Sequence, residues 1–153
     1  MPAPVWRTED FEAMSWHDVH VYGLSVIPGP HGSGELILDL DFILEWICNG
    51  GVYQFRLAPA TLTFHEVTDL TVSLDYASVS AAMGPFSLAG IEREQHVYPS
   101  GYTASRWNLS VNWPSGRISF VAAGFTQILR REPTLAEQQS LEGQQRPPIE
   151  SRA

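Results

Sequence analysis

The sequence predicts an all-β fold, mainly antiparallel: a β-sandwich or open barrel of about eight strands, with short helical segments near the N- and C-termini. Three observations carry this. Apolar and polar residues alternate with a period of two through most of residues 16–130, as in Leu36-Ile37-Leu38-Asp39-Leu40-Asp41-Phe42 and Trp107-Asn108-Leu109-Ser110-Val111. Clusters of turn formers, such as Pro28-Gly29-Pro30, Asn49-Gly50-Gly51 and Pro114-Ser115-Gly116, punctuate the alternation at short spacing. No long stretch between them carries a helical period, so crossover helices and a parallel sheet are not expected.

Residues 1–15 read as a leader with one helical turn, because Thr8 can cap the amides ahead of Glu9 and Asp10. A first strand is expected over 16–27 and a second over 35–46, paired as a hairpin across the Pro28–Gly34 loop. Strands follow over 52–57, 60–65 and 70–76, with a break at Ala58-Pro59. Residues 77–85 read as a small, flexible connection, and 86–97 as a bent strand. A last hairpin joins 105–113 to 117–129. Thr134-Leu135-Ala136-Glu137 has the capping-box pattern, so a short helix is expected over 135–142, followed by a flexible tail. This divides the chain into a leader (1–15), a single antiparallel β domain (16–130) and a helix with tail (131–153).

With 44% hydrophobic residues among 153, the chain can bury a core without disulfides or metals. Only 17% of residues are charged, which favours self-association into a homo-oligomer. All nine basic residues are arginine and the formal charge is −8. That balance argues against nucleic acid, and the absence of lysine excludes a Schiff-base or phosphate-loop lysine. Cys48 is the only cysteine, so no intrachain disulfide or cysteine-cluster zinc site can form. It reads as a semi-buried filler. No apolar run spans a bilayer and no secretory signal pattern opens the chain, so a cytoplasmic setting is expected.

The strand over 35–46 puts Glu35, Asp39, Asp41 and Glu45 on one face and large apolar residues on the other. For both strands of the first hairpin to share a core, their paired numbers must sum to about 61. His20 then faces Asp41, Tyr22 faces Asp39, Asp18 faces Ile43, and Trp16 faces Glu45. Asp18, His20, Asp39 and Asp41 are therefore candidate ligands for zinc, manganese or iron, or a base with its carboxylate; the solvated face of a sheet is the alternative. His17 and His20 point to opposite faces of a strand and cannot chelate together without a bulge; His17 is expected at the core's edge. His65 and Glu66 are expected at the surface, away from other titratable groups, and His31 and His96 in solvent. No serine sits in a nucleophile elbow, and no Gly-rich loop opens a helix. No catalytic residue and no cofactor is expected.

The run Ser15-Trp16-His17-Asp18-x-x-Val21-x-Gly23-Leu24, followed by Leu36-x-Leu38-x-Leu40 and Leu62-x-Phe64-x-x-Val67, resembles small bacterial β proteins of unassigned function. Some of these are similar to immunity proteins of polymorphic toxin systems. The resemblance implies a non-enzymatic interaction domain and supplies no catalytic residues. Combined with the charge, it gives the leading expectation: a face of Trp16, Asp18, His20, Tyr22, Asp39, Asp41 and Glu45 that docks a protein partner, basic in charge, without membrane or nucleic acid. A small-molecule binder within a β-barrel and a metal-dependent enzyme built on His20, Asp39 and Asp41 remain as alternatives.

Overall fold

The computed structural model describes residues 4–78 and 82–141, so residues 79–81 of the expected flexible connection and the tail from 142 onward lie outside the described residues. Nine strands form one antiparallel sheet: β1 (Val5–Arg7), β2 (His20–Pro28), β3 (Gly34–Asn49), β4 (Val52–Leu74), β5 (Phe86–Val97), β6 (Thr103–Trp113), β7 (Gly116–Ala122), β8 (Gly124–Leu129) and β9 (Thr134–Ala136). The order β1-β8-β4-β3-β2-β5-β6-β7 curls until β7 pairs with the distal half of β4, closing a partial ring. The weak link is β2–β5, held by His20 opposite Ser87 and Val21 opposite Phe86. The all-β, mainly antiparallel class expected from the alternation, sandwich or open barrel, is the observed one.

The even positions of β3 from Leu36 to Phe42 fill the ring. Leu36, Leu38 and Leu40 are fully buried, against Leu62 and Phe64 of β4, Trp107 and Leu109 of β6, and Phe120 of β7. Aromatic rings make up the centre: Phe64 meets Phe120 edge-on at 4.6 Å and Trp107 at 5.3 Å between centroids. Such tilted contacts add about 0.5–1.5 kcal/mol each beyond burial. Phe11, from a 3-10 turn over Thr8–Ala13, reaches Trp16, Trp107 and Phe125. The turn at 1–15 thus forms as expected, but Thr8 does not cap it. The amide of Arg7 donates to Asp10 instead, while the Thr8 hydroxyl accepts the Phe125 amide.

Four other expectations change. Residues 52–74 form one continuous strand rather than separate pieces. Pro59 is tolerated because its carbonyl, and with it the missing N–H, faces the gap between β8, which pairs with Ala60–His65, and β9, which pairs with Phe55–Leu57. The segment 117–129 splits at Ala123 into β7 and β8, whose amide there donates to His65 as the chain passes from one half of β4 to the other. The helix expected over 135–142 does not form over its described residues: Thr134–Ala136 are a strand, β9, because β4 runs on past the end of β8 and its free edge at Phe55–Leu57 gives them a ladder that an isolated short helix would lack, and residues 137–141 are bends and irregular chain. The sheet also reaches beyond 16–130 on the N-terminal side, through β1 against β8.

Candidate functional site

Two β-bulges decide which side chains share the outer face of β2, β3 and β4. In β2, His20 lies opposite Asp41 and Val21 opposite Leu40, the expected register, but Tyr22 is then the extra residue and Gly23, not Tyr22, faces Asp39. In β3, Leu44 is the extra residue: Ile43 faces Leu57, then Glu45 faces Arg56 and Trp46 faces Phe55. A slip of one residue exchanges the two faces of a strand. Trp46, expected among the core residues, therefore turns to the outer face beside His20 and Asp41. Glu45 leaves that face and pairs with Arg56 at 3.4 Å.

The chain's own C-terminal segment covers this face. From β9 it crosses over β3 toward β2. There the Leu141 amide donates to Asp41 Oδ2 at 2.7 Å, and the Tyr22 hydroxyl donates to the Leu141 carbonyl at 2.9 Å. Gln139 Nε2 donates to Asp18 Oδ2 at 3.1 Å. Leu141 and Asp41 are both buried. Asp39 is held by Arg130, whose guanidinium also donates to the Ala60 carbonyl and the Thr61 hydroxyl. The acidic row expected to face a partner is thus largely occupied from within.

Trp16 and Asp18 depart furthest from expectation. Residues 16–19 form a turn, with the Val19 amide donating to the Trp16 carbonyl and Asp18 at φ 62°, so neither residue belongs to a strand. Trp16 enters the core and donates its indole N–H to Gln127 Oε1 at 2.9 Å; it does not meet Glu45. Asp18 accepts from Asn112 Nδ2 as well as Gln139 and does not face Ile43. Asp18, His20, Asp39 and Asp41 do not converge. Among the described residues, no group of three His, Cys, Asp or Glu side chains is placed to hold a metal ion.

What remains is an open cleft of about 670 Å³. His20, Trp46, Tyr53 and Phe55 form its floor and one wall, and residues 137–140 the other. Trp46 is 44% exposed and Tyr53 57%, large values for such side chains. His17, on the exposed side of the turn, donates from Nδ1 to the Ala89 carbonyl at 3.1 Å and stacks on Trp46 with planes 22° apart. Burial pushes the His20 pKa below its ordinary value, outweighing the opposing pull of the Asp18 carbonyl and carboxylate and the Gln139 carbonyl. The ring is therefore neutral at pH 7, carrying one donor and one acceptor nitrogen. Its Nδ1 is buried without a hydrogen-bond partner among the described residues. Cys48, opposite Tyr53 and outside the strap that residues 137–140 form over the cleft, is exposed rather than semi-buried.

Reasoning from pattern also missed a relay at the other end of the outer face. His65 Nδ1 lies 3.0 Å from Glu35 Oε2, and its Nε2 lies 2.9 Å from the Thr126 hydroxyl, so His65 is not remote from titratable groups. Carboxylate, imidazole and hydroxyl in that order is the arrangement of a nucleophilic triad. Here the hydroxyl sits mid-strand in β8, where Thr126 pairs with Thr63 on one side and Arg7 on the other. The neighbouring Phe125 amide donates to the Thr8 hydroxyl rather than to an oxyanion, and we read the three residues as a polar cross-strand tie. No sequence signal marked it, because the three residues come from three strands. Arg130 and Leu141 carried a weak signal: a cation ending an apolar alternation, and a lone leucine in a polar run.

No helix among the described residues is long and apolar enough to cross a membrane. Comparison of the chain with protein-family models, with curated proteins and with solved structures gives no match.

Proposed function

We propose that this chain is a non-enzymatic binding domain whose cleft takes a small polar ligand with one apolar ring face, a saccharide in type. The observation that carries the reading is the bulge at Leu44, which turns Trp46 outward to stand exposed beside Tyr53 and over His20. An exposed indole packs the C–H face of a pyranose ring, while amides, hydroxyls and carboxylates fix its hydroxyl groups. Gln138, Gln139, Glu137 and Ser140 on the strap and neutral His20 on the floor supply those polar groups. The expected docking of a basic protein on the acidic row finds less support, since Asp41 is buried under Leu141 and Asp39 is engaged by Arg130.

The test is calorimetric titration of the full chain with a panel of mono- and oligosaccharides, repeated on Trp46→Ala and on Tyr102→Ala, an exposed aromatic remote from the cleft. Binding by at least one saccharide, weakened about 10-fold or more in Trp46→Ala and unchanged in Tyr102→Ala, is the expected result. No binding across the panel, or binding indifferent to Trp46→Ala, overturns the reading.

A further inference from the structure

A second cleft of about 690 Å³ opens at the opposite ends of β3 and β4, between the β2–β3 loop, the bend in β4 and the β5–β6 turn. Tyr98 and Tyr102 stand on one side with rings stacked 28° apart, and Tyr102 is 67% exposed. The Tyr98 hydroxyl donates to Asp69 Oδ2 at 3.0 Å. Glu66 lines the cleft beside Thr68.

The backbone is bent to make this arrangement. Of the four described non-glycine residues with left-handed φ, His31 (58°) and Glu66 (55°) line the cleft, and Asp69 (54°) holds Tyr98. Left-handed backbone is strained for a residue that carries a side chain, and strain of this kind collects at sites that use it. At Glu66 and Asp69 the strain sets two carboxylates beside an aromatic pair.

We propose that this cleft binds an organic cation of the alkylated-ammonium class. Aromatic faces attract such a cation through the ring quadrupole, and a phenol donating to a carboxylate has a more electron-rich ring. The bond to Asp69 holds the Tyr98 hydroxyl in its protonated, donating form by raising its pKa. Glu66 and Asp69 neutralise the bound charge, and the chain's formal charge of −8 favours cationic ligands generally. Arg106, the nearby cation, donates to the Ser119 hydroxyl. Ser105, which also lines the cleft, carries a hydroxyl suited to a polar tail on the ligand. The site shares no residue with the cleft beside Trp46, so either can fail without the other.

The experiment titrates the full chain, by calorimetry and by amide shifts, with choline, with its uncharged isostere 3,3-dimethylbutan-1-ol, and with N-acetyl-trimethyllysine amide. Binding of a cation with the isostere about 10-fold weaker or worse is expected, as is about 5-fold weakening or more in Tyr102→Ala and in Glu66→Gln. Trp46→Ala leaves it unchanged. The tighter of choline and the trimethyllysine compound assigns the source, a free metabolite or a modified protein side chain. Equal binding of the isostere, no binding of either cation, or binding that survives both variants overturns the proposal; unfolding midpoints of the variants confirm that they fold.

Discussion

Replacing Arg130 with methionine removes the cation that closes the acidic row while keeping an unbranched apolar stem. The guanidinium donates to Asp39, to the Ala60 carbonyl at 2.6 Å and to the Thr61 hydroxyl at 3.0 Å. Breaking a fully buried ion pair from one side costs about 3–5 kcal/mol, because the remaining charge is stranded. Here the side chains are 12% and 21% exposed, so water partly solvates Asp39 and the expected loss falls to about 2–3 kcal/mol. For a domain of this size that is a drop of roughly 5–10 °C in Tm. Urea unfolding of the wild type, Arg130→Met, Asp39→Asn and the double variant measures it, with unchanged m-values as the check on two-state behaviour. The double variant should recover part of the loss, giving a coupling of about 1–2 kcal/mol. A loss under about 0.5 kcal/mol for Arg130→Met, or strict additivity in the double variant, would refute the clamp.

Two further outcomes follow from the same structure. Because the folded His20 pKa lies below the ordinary histidine value of 6.5, the unfolded chain binds more protons as pH falls. Its contribution to stability is complete above about pH 6.5 and is lost as pH drops toward the folded value; His20→Gln should show a smaller stability difference between pH 7.5 and 5.5 than wild type, and an equal difference would count against its burial. A Cβ at Gly116 would run into the Ser73 carbonyl oxygen, where β7 closes on β4, whereas one at Gly90 meets nothing within 4 Å. Gly116→Ala should therefore destabilise by about 2 kcal/mol or more in urea titration and Gly90→Ala by under about 0.5 kcal/mol; similar losses would mean that the closure is slack.

The alternation in the sequence shows the strands because burial on one face leaves a period of two, and it places His20 opposite Asp41 because only that parity buries Val21 and Leu40 together. It does not show the bulges. Leu44 is an ordinary strand residue with no glycine beside it, and the bulge at Tyr22 is marked only by the lone Gly23 that follows, yet each re-aims everything after it, which is why Tyr22 misses Asp39 and Trp46 and Glu45 exchange faces. Trp16 reads as a strand residue, but Asp18 takes a left-handed turn that drops the indole into the core. The capping box at Thr134 is a local preference worth about 1 kcal/mol, and a waiting sheet edge outweighs it. The covering of Asp41 by Leu141 depends on contacts between residues far apart in the chain, which no local pattern records.

β4 has a consequence for how the chain reaches its structure. It pairs with β3 along one edge and with β7, β8 and β9 along the other. The first edge is satisfied by an adjacent hairpin, but the second waits for residues about 70 positions later, Leu129 opposite Ala60, so its loop-closure entropy is met only late and folding should run toward the slow, millisecond-to-second end for domains of this kind. Until then a long apolar strand presents unpaired amides and carbonyls to any neighbouring chain. Yield on refolding should therefore fall with protein concentration more steeply than stability alone would suggest, and variants that delay β8 should aggregate even where the finished fold tolerates them.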